Sequence, residues 1–217
     1  MARTTAPLLG FDAQGQIAKT MVYAKWRGVN YARRHVIPAN PNTSAQQTTR
    51  TTFATLREYW KVMATDGRAP WEAFATGRPF LGLNAFVGEN LRVVRGDANM
   101  NDFLGSPGAR GGLPASSITA STGTGSGEVD LDVVYPTAPS GWTITEFVGV
   151  AFPDHDPAVD LVGPVVVAKV SHPTTTITFT GLGSAVACQA SGWIVWTKPN
   201  GQTAYSVSVT DQATSQT

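Results

Sequence analysis

Asp154, His155 and Asp156 stand together in the run PDHDP, Pro153 to Pro157. A carboxylate, an imidazole and a second carboxylate are ligand types that a divalent cation takes. Three consecutive residues of an extended loop point in different directions, however, so the run reads as a solvated turn and no metal site is expected. Other ligands and nucleophiles are few: His35 in RRHVI, His172 in SHP, and a lone cysteine, Cys188. The sequence has no HExxH, CxxC, GxSxG or GxxxxGK[ST], and no GxGxxG that follows a strand and opens a helix. The glycine runs near Gly111 and Gly123 lie in a Ser/Thr-rich stretch where chain flexibility accounts for them. Cys188 lacks a disulfide partner and reads as a small buried hydrophobe. The chain is therefore expected to be no enzyme and to carry no cofactor.

Chemistry concentrates instead in AKWRGVNYARRHVIPANP, Ala24 to Pro41. Lys19, Lys25, Arg27, Arg33 and Arg34 interleave there with Tyr23, Trp26 and Tyr31. Cations among aromatic rings serve two ends. They combine phosphate contact with base stacking in single-strand binders, and they are the residue types enriched at protein interface hot spots. No zinc-finger spacing or RNP motif favours sequence-specific nucleic-acid recognition, which leaves nonspecific DNA contact and protein docking as the two readings of the segment.

Charge is unevenly distributed. From Met1 to Arg110 there are fourteen Lys and Arg against seven Asp and Glu, a net +7, whereas Gly111 to Thr217 holds two against eight, a net −6. Such a split favours a basic half facing an anionic partner, or oppositely charged halves meeting between neighbouring copies of the chain. The opening MARTTAPLLGFDAQGQ lacks the apolar run of ~7 to 15 residues of a signal peptide. No stretch reaches the ~18 apolar residues of a membrane helix, since DLVGPVVVAKV is broken by Pro164 and Lys169. A soluble protein is expected.

The elements that must position these residues follow from periodicity. Around a short Arg27-Gly28 turn, IAKTMVYAKW and VNYARRHVI alternate as a hairpin, placing Met21, Tyr23 and Lys25 on one face and Val22, Ala24 and Trp26 on the other. Pro38 and Pro41 stop its second strand. Phe53, Leu56, Trp60 and Met63 recur at helical spacing, and Ser44 with Gln47 makes a capping box, so a helix is expected from about 44 to 65, ended by Gly67. A second starts at APWEAF with Pro70 in its first turn and Trp71 and Phe74 inward. The third runs from Gly82 to Val94 on a stripe of Phe86, Val87, Leu91 and Val94.

Residues 105–127 have linker composition. Beyond them EVDLDVVY, WTITEFVGVAF, PVVVAKV, TTITFTGL, AVACQAS, GWIVWTK and TAYSVSVT are seven β-rich runs, the last two joined by an Asn200-Gly201 hairpin signal. With 42% hydrophobic and only 14% charged residues, 22 Gly and 14 Pro, composition agrees with turn-rich β structure. The expected organisation is a basic hairpin-plus-helices docking domain over 1–104, a linker over 105–127 and a β-sandwich over 128–217. The fold class is α+β followed by an all-β sandwich.

Two resemblances add to this. The pattern W-[KR]-G-x-N-Y-x-R-R is carried by Trp26, Arg27, Gly28, Asn30, Tyr31, Arg33 and Arg34, and N-P-x-[TS] by Asn40, Pro41 and Thr43. Gln46 and Gln47 begin the helix, Trp71 lies in the second helix, and Gly82, Asn84 and Phe86 close the match as G-x-N-x-F. Over roughly the first 95 residues this resembles a group of small proteins of tailed phages and prophages. The sandwich half is similar in pattern to immunoglobulin-like or fibronectin type III-like accessory domains, without their disulfide pair. The phage resemblance implies a virion structural protein, assembled in the host cytoplasm, whose partners are other virion proteins and copies of itself, with no membrane. On that reading Arg27, Arg33 and Arg34 form ion pairs, Trp26 and Tyr31 anchor, and Lys25 adds charge. Nucleic-acid binding through the hairpin, and host or glycan attachment through Trp142, Trp193 or Trp196, are the alternatives.

Overall fold

The fold comes from a computed structural model, which describes residues 2–3, 14–37, 39–95, 100, 102–108, 117–154 and 163–217. The chain divides into two compact units, Met1–Asn42 and Thr43–Thr217. In the first, β1 (Ala2–Arg3), β2 (Gly15–Ile17), β3 (Met21–Trp26) and β4 (Val29–Arg34) form an antiparallel sheet in the order β1-β4-β3-β2. The β3–β4 turn holds Arg27 at φ 49° and Gly28 at φ 79°. Positive φ at both central positions matches the twist of a two-residue hairpin, and glycine supplies it without strain.

The second unit begins with three helices. Helix α1 (Ser44–Val62) is capped by Thr43, whose Oγ1 accepts from the Gln46 N–H at 3.4 Å, one residue ahead of the expected Ser44 box. Its buried stripe is Thr52, Thr55, Leu56 and Tyr59, continued by Met63. Phe53 is 49% exposed, contrary to expectation. The threonines explain the shift, because the Thr52 hydroxyl donates to the Thr48 carbonyl at 2.9 Å and so enters the interior satisfied. Helix α2 (Thr65–Ala75) begins earlier than the APWEAF signal, leaving Pro70 inside it. Gly67 does not end α1; it is buried within α2, where a Cβ would fall 2.6 Å from Met63 Cγ and 3.2 Å from Val167 Cγ2. Helix α3 (Gly82–Val93) is where its stripe placed it, with Phe86, Val87 and Val94 buried and Leu91 partly so.

The strands of this unit are β5 (Ser117–Thr122), β6 (Val129–Val134), β7 (Thr143–Pro153), β8 (Val166–Ser171), β9 (Thr176–Phe179), β10 (Ala187–Thr197), β11 (Thr203–Tyr205) and β12 (Val209–Thr214). A three-stranded sheet has the order β5-β6-β9; the larger sheet runs β11-β10-β7-β8, with β12 also on β10. AVACQAS and GWIVWTK are thus one strand, and TAYSVSVT is two. The expected Asn200-Gly201 hairpin joins β10 to β11, closed by Lys198 N–H to the Gln202 carbonyl at 2.9 Å.

Strands β7 and β10 are buried on both faces, which is why they read as nearly continuous apolar runs. Val148, Val150, Phe152, Trp193 and Val195 pack with Leu56, Tyr59, Trp71 and Phe86 of the helices. From the opposite faces Phe147, Ala151, Cys188, Ala190, Ile194 and Trp196 meet Ile118, Leu131, Ile177 and Phe179 of the small sheet. The result is mixed α+β: helices, a five-stranded sheet and a three-stranded sheet in layers. Gly149 and Gly192 pair in register at the centre. A Cβ on Gly192 would lie 2.8 Å from Phe147 Cε2 and 2.9 Å from Leu131 Cδ2, and one on Gly149 would lie 2.8 Å from Phe179 Cζ. Two missing side chains let the sheets close.

The expected boundary over 105–127 is not where the units divide. Gly105 and Ser106 are buried, Trp71 Nε1 donates to the Gly105 carbonyl at 2.8 Å, and Ser106 Oγ donates to the Ser206 carbonyl at 2.8 Å. Residues 117–122 are strand β5, paired along its length with β6. Small hydroxyl residues make a loose linker only where their backbone lacks partners; here the partners come from α2, β6, β10, β12 and the segment between β11 and β12. Asn90 completes the attachment, its Oδ1 accepting from Leu104 N–H at 2.8 Å and its Nδ2 donating to the Leu104 carbonyl at 3.0 Å.

Candidate docking surface

Register sorts the hairpin side chains. Residues opposite one another share a face, so the pairs Val22–Arg33, Ala24–Tyr31 and Trp26–Val29 lie on one side, and Met21–Arg34, Tyr23–Ala32 and Lys25–Asn30 on the other. Of the six residues singled out from the sequence, Trp26, Tyr31 and Arg33 come together on the first face. Arg27 joins them from the turn, its guanidinium carbon 4.9 Å from the centre of the Trp26 ring. Lys25 and Arg34 occupy the opposite face.

This sheet covers little of its own apolar surface. Among the described residues of the unit only Ala32 is buried, while Trp26 is 65% exposed and Ile17, Met21, Val29, Val36 and Ile37 are exposed as well. Small sheets of this kind are marginal in water without a partner, and clustered exposed apolar groups mark interaction sites. The unit also carries six Lys and Arg against one acid, a net +5 in 42 residues. Dividing by compact units therefore sharpens the asymmetry: residues 43–217 hold ten cations and fourteen acids, a net −4.

The alternative sites are placed differently. Trp193 and Trp196 are fully buried and present nothing to a glycan. Trp142 is half-buried with Lys198 Nζ 4.6 Å over its ring, and lines a shallow cleft with Tyr135, Thr143 and His172. Asp154 accepts from Gln212 Nε2 at 2.8 Å, whereas His155 and Asp156 lie outside the described residues. Among the described residues no three His, Cys, Asp or Glu are gathered as a metal site, and no helix is long and apolar enough to cross a membrane.

Two buried groups have a pH consequence. Burial, with the Asp154 charge adding to it, pushes the Cys188 thiol up to about 11, and the same two causes push the Tyr59 phenol above its ordinary value. On unfolding the thiol releases its proton from about pH 9 upward, while the folded chain retains it to about 11. Above pH 9 the unfolded state therefore binds fewer protons, and stability falls as pH rises. Urea midpoints measured from pH 7 to 11 are expected to decline above 9, less steeply in Cys188→Ala. An unchanged slope in that variant would contradict the assignment.

Comparison with protein-family models and with curated proteins gives no match to this chain.

Proposed function

We propose that the chain is a non-enzymatic structural subunit of a phage virion, repeated in the particle and anchored by its basic N-terminal sheet. One observation carries this reading: a net +5 sheet unit in which Trp26, Tyr31 and Arg33 share a face and a single described residue is buried. Such a surface gains more from covering by a protein partner than from water, because arginine and tryptophan contribute most where they are desolvated at an interface. The layered second unit is the body that the sheet holds in place.

Strand order supports an immunoglobulin-like reading of that body. Counting from β5, the first, second and fifth strands make one sheet and the third, fourth, sixth, seventh and eighth the other, the last two pairing successive stretches of β10 as one edge. That is the division of an immunoglobulin-type sandwich whose fourth strand has joined the third. The helices then cover the outer face of its larger sheet.

The test is incorporation. Arg33 and Arg34 are exposed, so Arg33→Glu with Arg34→Glu leaves the thermal transition of the isolated chain unchanged. Particles assembled with the doubly substituted chain are expected to contain at least about tenfold less of it than of the unsubstituted chain, since like-charge contacts at an interface cost several kcal/mol. Normal incorporation would overturn the docking role. A loss confined to salt-dependent DNA affinity would move the hairpin to the nucleic-acid reading.

A further inference from the structure

We infer that the hairpin face of one copy docks on the outer face of the β5-β6-β9 sheet of a second copy, an inference that rests on the structural-subunit reading and names its partner. The hairpin face is ordered along β4 as Arg33, Tyr31, Val29, with Trp26 opposite Val29. The outer face of β6 is ordered as Asp130, Asp132, Val134, since Val129, Leu131 and Val133 point into the core. Alternate residues on a strand are ~7 Å apart, so each row spans about 13 Å. Run antiparallel to each other, the two rows set Arg33 against Asp130, the Tyr31 hydroxyl against Asp132, and Trp26 with Val29 against Val134, which is 71% exposed.

Charge is complementary on both sides. Residues 105–217 hold three cations and eight acids, a net −5 that opposes the +5 of the first unit. The two described cations of residues 105–217 are occupied: Lys169 pairs with Asp66 at 3.3 Å and Glu146 at 3.4 Å, and Lys198 lies over Trp142. Asp132 and Asp130 each accept one hydroxyl proton, from Thr176 at 2.5 Å and Thr178 at 2.6 Å. A carboxylate has about four acceptor positions, so those threonines orient the two groups and leave acceptors for a guanidinium. The contact joins unlike patches, so repeating it generates a ring or a filament of copies.

A charge swap on the full chain tests this. The mass of the protein is followed by light scattering over a concentration series at low and high salt, with and without duplex DNA. The unsubstituted chain is expected to associate as concentration rises and to dissociate in salt. Arg33→Glu, and separately Asp130→Arg with Asp132→Arg, should each weaken association at least about tenfold. Mixing the two variants should restore it, because each then meets an opposite charge. Asp130→Asn with Asp132→Asn keeps the threonine contacts and guards against a folding defect; it should weaken association without changing the thermal transition. A chain that stays monomeric at every concentration, or a mixture that stays dissociated, overturns the inference while leaving particle incorporation to judge the subunit role. A mass shift that requires DNA overturns both.

Discussion

A fragment of residues 1–104 is expected to show no cooperative thermal transition, whereas residues 43–217 should unfold in one step near the midpoint of the whole chain. This is the outcome expected from where the helices find their core. Tyr59 packs on Phe152 with ring centres 5.2 Å apart, and Phe103 on Phe152 at 4.9 Å. Val148, Val150, Trp193 and Val195 complete the wall opposite Leu56, Trp71 and Phe86. Cutting at 104 removes all five β-strand side chains and exposes what they covered. Each large apolar side chain is worth about 1.5–3 kcal/mol when buried, so the loss is about 10 kcal/mol. That equals the whole stability of an ordinary domain, about 5–15 kcal/mol. Circular dichroism melts of the two fragments decide it, and a sharp transition in 1–104 would mean that the helices and hairpin hold a core of their own.

Trp193→Ala is expected to destabilise by about 3–5 kcal/mol, the cost of truncating a large aromatic in a packed core. Trp193 is fully buried, and its ring lies so close to Gly105 that a Cβ there would approach it to 2.7 Å. The indole nitrogens of the two core tryptophans on this side behave differently. Trp71 Nε1 donates to the Gly105 carbonyl, while Trp193 Nε1 has no acceptor among the described residues. Trp71→Phe therefore leaves a buried carbonyl unpaired, about 1–3 kcal/mol beyond the lost volume. Trp193→Phe removes a donor that was already unsatisfied, so its cost is packing alone. Urea unfolding should rank the losses Trp193→Ala, then Trp71→Phe, then Trp193→Phe. A Trp193→Phe loss equal to that of Trp71→Phe would show that the Trp193 nitrogen is satisfied in solution.

Local chemistry made several elements legible. A two-residue Arg27-Gly28 turn between alternating runs specifies a hairpin and also which side chains share its faces, because the strand period of two is imposed by backbone geometry. The Gly82–Val93 helix and the β7 strand were equally visible, since a 3.6-residue stripe and an apolar run depend only on their own residues, whereas β10 was read as two strands. The α1 stripe was misread at Phe53 because the volume of a phenyl ring outweighs a threonine in any apolar count, although a threonine whose hydroxyl bonds back to its own helix buries as readily.

Division of the chain was not legible. Gly105 to Thr122 has the composition of a linker, and only the tertiary structure supplies the Trp71, Ser191, Ser206 and Asp211 groups that bond to Gly105, Ser106 and Ala120 within it. Those partners lie between 34 and about 100 residues away, beyond the reach of any local pattern. By itself the sequence determined the hairpin with its paired faces, the helical and strand periods, and the opposite charges of the two ends. Tertiary structure alone decided that the helices join the sheets and not the hairpin unit, because each face of β7 and β10 needs a cover and the helical stripe is the apolar surface that fills one of them.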